Sequence, residues 1–188
     1  MPSLPTVRAA VLEDSLAIFE AHQDSVQHLC AGSYTPAQLG IWFEGRTHEV
    51  HHPFIQAGQI FIAEQKGRVL GFFGFIPGEV TLLFVRPEAA GSGLGSWLFG
   101  LAVEGAQANY EGPVVVVATT NSKRFYERHG FTTIEESFFV RGASEMHFEV
   151  FKMHRERHAQ PTNWSAHTDH QPMVAASRLV LSAGGLER

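Results

Sequence analysis

The sequence predicts a mixed α+β fold, and three stretches carry that prediction. Residues 59–64 and 68–76 are rich in β-branched and aromatic side chains and are separated by Lys66-Gly67, so they read as a hairpin. Residues 83–98, LFVRPEAAGSGLGSWL, pass from an apolar strand through alternating glycines into a helical pattern. Residues 114–118 are continuously apolar, as a strand covered on both faces would be.

Residues 6–11 form a short first strand. From Asp14 the apolar positions Leu16, Ile18, Phe19, Val26 and Leu29 recur at helical spacing up to Cys30, with Asp14 or Ser15 as cap. Thr35-Pro36 sets an N-cap ahead of proline at the first helical position and opens a second helix through Leu39, Trp42 and Phe43. Residues 45–58 are polar, with His48, His51 and His52, and a loop is expected. Pro77-Gly78 turns the chain into a third strand over 79–86. A helix over about 93–108 carries Leu94, Leu98, Leu101, Ala102 and Gly105 on one side. Residues 121–129 make a short helix stopped by Gly130, and 131–140 and 146–153 supply the last strands. From His154 the composition turns polar and histidine-rich. The domain is therefore placed at 1–153, with 154–188 as a tail expected to be mobile or loosely docked.

A chain of 188 residues that is 44% hydrophobic suits one domain better than two. Its net charge of −5 excludes a nucleic-acid backbone or an anionic membrane as main partner, so any anion site must be local. The single cysteine, Cys30, excludes an intramolecular disulfide. The first residues lack the apolar core of a signal peptide, and the longest aliphatic run falls far short of the roughly 20 residues of a bilayer span. A cytoplasmic protein with no membrane partner is expected.

The glycines after the third strand need a purpose. A strand that ends in a glycine-rich turn and enters a helix gathers unpaired N–H groups beside the positive end of the helix dipole, a geometry suited to phosphate. Hydrogen bonds to a charged acceptor contribute about 1.5–3 kcal/mol each, so three or four amides anchor a diphosphate without a basic side chain. Two familiar phosphate loops are excluded. No lysine follows Gly95, as a Walker loop requires, and the dinucleotide fingerprint fails because its third glycine comes one place early. A tight turn with no ligand is the alternative.

Val85-Arg86-Pro87, Gly91-Ser92-Gly93-Leu94-Gly95 and Leu98, followed by Asn121-Ser122-Lys123-Arg124-Phe125-Tyr126-Glu127-Arg128-His129-Gly130-Phe131, resemble the two signature motifs of the GCN5-related N-acetyltransferases. The resemblance covers about four-fifths of the chain. It implies a mostly antiparallel twisted sheet with helices on both faces and a splayed pair of parallel strands. It also implies acetyl-CoA as co-substrate, no metal, and frequent homodimers. The coenzyme would lie between the strand ending at Arg86 and that over 114–118. Its pantetheine arm would pair with backbone near Phe84 and Val85, its diphosphate would rest on Gly91, Ser92, Gly93, Leu94, Gly95 and Ser96, and Asn121 would face the pantetheine. Ala90 stands where the family usually has arginine or glutamine, so the diphosphate depends here on the amides.

The implied chemistry is direct transfer of an acetyl group to a primary amine, on a small molecule or a peptide, in a ternary complex. A non-catalytic acyl-CoA sensor is the alternative. A lysine-like amine of pKa about 10.4 is protonated at pH 7, and holding it neutral costs roughly 4.6 kcal/mol, so a base is useful. Glu79 opens the strand that leads to the pantetheine, and period-2 alternation puts it on one face with Thr81, Leu83 and Val85. It is the candidate base, or else a turn carboxylate after Pro77-Gly78. Tyr126, at the tyrosine of the second motif, would meet the departing thiolate; otherwise it packs on Phe131. Lys123 or Arg124 would approach the adenosine 3′-phosphate or form a solvated helix face. Tyr34 and Trp42 are candidates for the acceptor pocket, with core packing as the alternative. Cys30 has no evident base to make it a nucleophile. His48, His51 and His52 lack fitting partners for a metal, so solvated histidines are expected.

Overall fold

The computed structural model describes residues 4–156 as one seven-stranded sheet in the order β1-β2-β3-β4-β5-β7-β6. The strands are β1 (Thr6–Ala9), β2 (Ile60–Gln65), β3 (Arg68–Ile76), β4 (Glu79–Val85), β5 (Val114–Thr119), β6 (Thr132–Arg141) and β7 (Met146–Arg155). The helices are α1 (Ser15–Leu29), α2 (Pro36–Ile41), α3 (His52–Gln56), α4 (Leu94–Gln107) and α5 (Lys123–Arg128). Every strand pair is antiparallel except β4 with β5. The tail expected over 154–188 lies outside the described residues beyond Glu156. Among the described residues no helix is long and apolar enough to cross a membrane.

Local chemistry explains most boundaries. Lys66 and Gly67 both take positive φ, 52° and 75°, as the two-residue turn of a tight hairpin requires. Thr35 and Gln38 form a reciprocal capping box at α2, with Gln38 N–H donating to Thr35 Oγ1 at 3.2 Å and Thr35 N–H to Gln38 Oε1 at 2.9 Å. Asp14 does not cap α1 through its side chain; it accepts from Val11 N–H and from the Arg8 fork, tying β1 to the helix entry.

The loop expected over 45–58 is corrected. One 3₁₀ turn, His48–His51, leads directly into α3. Its histidines are not all solvated either: His51 is only 3% exposed, edge-on to Phe19 and Phe72. The His51 imidazole takes an apolar place at the entry to α3 that a polar reading hides.

Two cores lie on opposite faces of the sheet. α4 and α5 cover one, where Leu94, Leu98, Phe99, Ala102 and Tyr126 meet Phe73, Val80, Val114 and Val116. α1 and α3 cover the other, with Ile18, Ala21 and Phe54 on Ile60, Ile62, Phe72 and Leu82. A third cluster, Tyr34, Trp42, Phe139 and Phe148, closes the second face over β6 and β7.

Where β4 meets its neighbours, two irregularities shape everything near them. The β3–β4 register jumps from Phe75↔Val80 to Gly74↔Leu82, which leaves Thr81 as a bulge. The β4–β5 pairing stops after Glu79↔Val115 and Val80↔Val116, and beyond them the two strands diverge. The end of β4 is held by Arg86. Its Nε donates to Val69 O at 2.8 Å, its amide to Leu70 O at 2.8 Å, and its guanidinium pairs with Asp24 and, at 3.6 Å, with Glu20 of α1. Arg86 is only 6% exposed, so its loss would strand the Val69 carbonyl and half-exposed Asp24 together. Arg86→Gln is expected to cost about 2–3 kcal/mol in urea unfolding. An unchanged midpoint would show that the clamp contributes nothing.

Candidate functional site

Between the diverging halves of β4 and β5 lies a cavity of about 280 Å³. Its wall takes Gly95, Phe125 and Tyr126 from the α4–α5 side and His22, Ser25, Cys30 and Trp42 from the α1–α2 side. Residues from both faces line one space, so the gap between the strands is a slot through the sheet. Along it, Thr81 to Val85 keep an edge with no partner strand, because β4 pairs with β5 only through Glu79 and Val80, while β5 pairs with β7 along its whole length. Such an edge offers backbone donors and acceptors to an extended ligand. Phe84 and Val85, the residues expected to face a pantetheine arm, lie on it.

At one end of this edge sits the glycine loop. A 3₁₀ turn, Pro87–Ala89, is followed by Gly91 and Gly93 with φ of 76° and 91°, values that a side chain strains. A Cβ at either would meet nothing within 4 Å, so the requirement is backbone conformation and open space. Ser92 works inward: its hydroxyl donates to Ala89 O at 2.7 Å and accepts from Leu94 N–H at 3.3 Å, while its own N–H reaches Ala89 O at 3.4 Å. Among the described residues, Gly91, Gly93, Gly95 and Ser96 are left with no backbone acceptor for their N–H groups. Of the six predicted phosphate contacts, these four are the open donors, and Ser92 and Leu94 build the turn.

Tyr126 is both packed and cavity-lining. It packs edge-on to Phe99 at 5.2 Å and lies 6.2 Å from Phe131, and it also lines the cavity. Burial pushes its phenol well above the ordinary range, so it is neutral at physiological pH. Asn121 lines the same space; its Oδ1 accepts from Thr119 Oγ1 at 2.8 Å, and its side chain bonds the Cys30 thiol. Burial pushes that thiol up to about 11, against the Asn121 contact, so Cys30 stays protonated. Lys123 rests over the Phe151 ring at 3.9 Å, and Arg124 is exposed.

Glu79 lines the cavity at the start of the splay, but its face differs from the one predicted. The Thr81 bulge breaks the alternation: Val80, Leu83 and Val85 pack on the α4 side, whereas Leu82 and Phe84 pack on the α1 side. Glu79, opposite to Val80, shares the α1 side with Leu82 and Phe84. Trp42 lines this side too. Tyr34 does not line the cavity; its hydroxyl donates to Glu149 O at 3.2 Å and accepts from Thr120 N–H at 3.1 Å, which fixes the end of β5.

Sequence reasoning missed His22, Arg46 and Arg141, all in the wall. His22 carried a signal: it stands midway between Ile18 and Val26 on the buried stripe of α1. The arginines carried none, since only the fold brings the α2–α3 connection to the end of β6. No group of three metal-binding side chains occurs among the described residues.

The sequence profile of the acetyltransferase (GNAT) domain family matches residues 30–151. An uncharacterized N-acetyltransferase of Escherichia coli, YafP, is 28% identical over 106 residues, which is 55% of this chain and 65% of that protein. The chain thus spans just under two thirds of that relative's length. Among solved structures, a GCN5-related N-acetyltransferase from Rhodopseudomonas palustris superposes with a TM-score of 0.71 at 21% identity, over 84% of this chain and 98% of that one. The putative acetyltransferase yncA of Salmonella typhimurium, solved with acetyl-CoA, gives 0.60 at 21% identity over 85% and 99%. These likenesses show a shared fold.

The buried histidines set a pH dependence. Burial holds His51 down at about 4 and His22 well below its ordinary 6.5. The unfolded chain therefore binds these protons first, and their contribution to stability is complete above about 6.5 and is lost as pH falls toward about 4. Urea melts should lose roughly 3 kcal/mol across that window from His51 alone, and His51→Phe should remove that share. A flat profile would contradict the burial.

Proposed function

Because the chain belongs to the GNAT acetyltransferase family, we propose that it transfers an acetyl group from acetyl-CoA to a primary amine, directly and within a ternary complex. The observation that carries this reading is the slot itself: a free strand edge and a buried phenol along one cavity, with the glycine loop and its four open amides following the end of that edge.

Gly91, Gly93, Gly95 and Ser96 would grip the diphosphate with backbone donors, in place of the side chain that Ala90 lacks. The edge at Phe84 and Val85 would pair with the pantetheine arm, and Asn121 would steady it from the β5 side. A bound acetyl thioester supplies the activated acyl group. Glu79 would take the amine proton directly or through water, which answers the roughly 4.6 kcal/mol needed to present a neutral amine.

Tyr126 would hydrogen-bond the sulfur as the C–S bond breaks. At ordinary pKa values, about 8.5 for a thiol and 10 for a phenol, full proton transfer is already uphill by roughly 2 kcal/mol. Burial of Tyr126 makes it more so. Stabilisation of the developing thiolate by a neutral donor is therefore its part. The protonated Cys30 in the same wall supports direct transfer over an acyl-cysteine intermediate.

Release of free thiol from acetyl-CoA in the presence of an amine panel tests the reading. Tyr126→Phe is expected to lower kcat by about 10- to 100-fold with coenzyme affinity kept within about threefold. Glu79→Gln should lower kcat/KM most at low pH, where free amine is scarcest. Coenzyme binding without turnover on any amine would favour the acyl-CoA sensor.

A further inference from the structure

The acetyl-transfer reading, on which this inference rests, leaves the acceptor amine unnamed, and the two sides of the slot differ in a way that narrows it. The groups read as serving the coenzyme lie on the α4 side. The glycine loop leads into α4, and Leu83, Val85, Phe125 and Tyr126 belong to the core under that helix. An amine that meets the thioester from the opposite side enters among the residues of the α1 side.

That side presents one continuous apolar wall. Cys30, Trp42, Phe139 and Val150 are buried members of a single packed cluster, and Phe84 and Val117 rest against it half-buried. All six line the cavity. Phe84 comes from β4 and Val117 from β5, so one stands on each side of the slot. Ring contacts stiffen the wall: Trp42 meets Phe139 edge-on at 5.4 Å, Phe139 stacks on Phe148 at 4.8 Å, and Phe84 stacks on Phe72 at 5.3 Å. Half-buried aromatic and branched surface inside a cavity is stabilised when a ligand covers it.

The polar groups around this wall are already engaged. Thr119 Oγ1 donates to Asn121 Oδ1 at 2.8 Å and lies 2.9 Å from Ser122 Oγ, and the Asn121 side chain bonds the Cys30 thiol. Arg141 donates from Nη1 to Val140 O at 3.3 Å with its guanidinium over the Phe139 ring, and Arg46 and Glu79 also interact within the chain. His22, packed on Phe84 at 4.0 Å, is kept neutral by burial and adds no charge. Recognition of the acceptor therefore falls to apolar contact rather than to an ion pair.

We propose that the acceptor is a small primary amine with an apolar body, an alkyl or aryl group laid against Phe84, Val117 and Trp42 with its nitrogen toward the thioester. The nitrogen bonds the acetyl carbon as the C–S bond breaks. Of the two protons that an ammonium group gives up, one passes through the base to solvent and the other ends on the thiol of coenzyme A. A polyamine would bring further charges against a wall that does not solvate them. The volume of about 280 Å³, which also admits the thioester end, suits a small molecule.

The test uses the full chain with acetyl-CoA and follows free thiol for n-propyl-, n-butyl-, n-pentyl- and n-hexylamine, 2-phenylethylamine, ethanolamine and spermidine. The n-alkylamines share nearly one basicity, so differences among them report contact alone. Their kcat/KM should rise about 3- to 4-fold per methylene until the cavity is filled. The best apolar amine should exceed ethanolamine and spermidine by about 10-fold or more. Val117→Thr keeps the branched shape within β5 and adds a hydroxyl to the wall. It should lower kcat/KM for that amine about fivefold or more, with coenzyme affinity kept within about threefold. A flat series, ethanolamine or spermidine used as well as the apolar amines, or an unchanged kcat/KM in Val117→Thr would overturn the proposal. So would a steep gain from acetyl-CoA to hexanoyl-CoA with one short amine, which would assign the wall to the acyl chain. Coenzyme binding with no turnover of any amine, or no coenzyme binding at all, would instead overturn the acetyl-transfer reading, and this inference with it.

Discussion

The divergence of β4 and β5 after two paired residues is the constraint on which the site depends. A sheet normally satisfies each interior backbone group with a neighbouring strand, and leaving a buried stretch unpaired is costly. Here the cost is met by geometry: the Thr81 bulge turns β4, Arg86 ties its end to α1 and β3, and β5 finds its own full partner in β7. What remains is a slot with polar backbone on one side and side chains from both faces of the sheet along it.

The electrostatics of the site follow from this arrangement. The chain is acidic overall, and in the proposed reading the glycine loop would hold a polyanion with amides rather than with lysines. Arg46, Arg141, His22 and Glu79 also line the cavity. The phenol of Tyr126 and the thiol of Cys30, in the same wall, are both kept neutral by burial.

Features encoded by neighbouring residues were legible in the sequence. The Lys66-Gly67 turn, the Thr35-Pro36 helix start, the glycine loop and the Gly130 stop each depend on backbone preferences that act over a few positions. The paired motifs around Gly91 and Tyr126 extended this to the family and its sheet. Features set by register were not legible. The face of Glu79 depends on a bulge at Thr81 that no local pattern marks, and α3 was hidden because His51 and His52 dilute its apolar spacing. Arg46 and Arg141 stand 95 positions apart in the chain, and only the sheet order brings their elements to one wall. Ser92 and Leu94 belong to the same loop as the open amides, yet hydrogen bonds within the loop claim their donors.

Amide hydrogen exchange read residue by residue, with and without coenzyme A, tests most directly whether the slot and its loop hold the coenzyme. The account predicts slowed exchange at Gly91, Gly93, Gly95 and Ser96 and along the Thr81 to Val85 edge of β4, with Ser92 and Leu94 changed far less. Unaltered exchange at those four loop amides, with protection appearing elsewhere on the molecule, would contradict it.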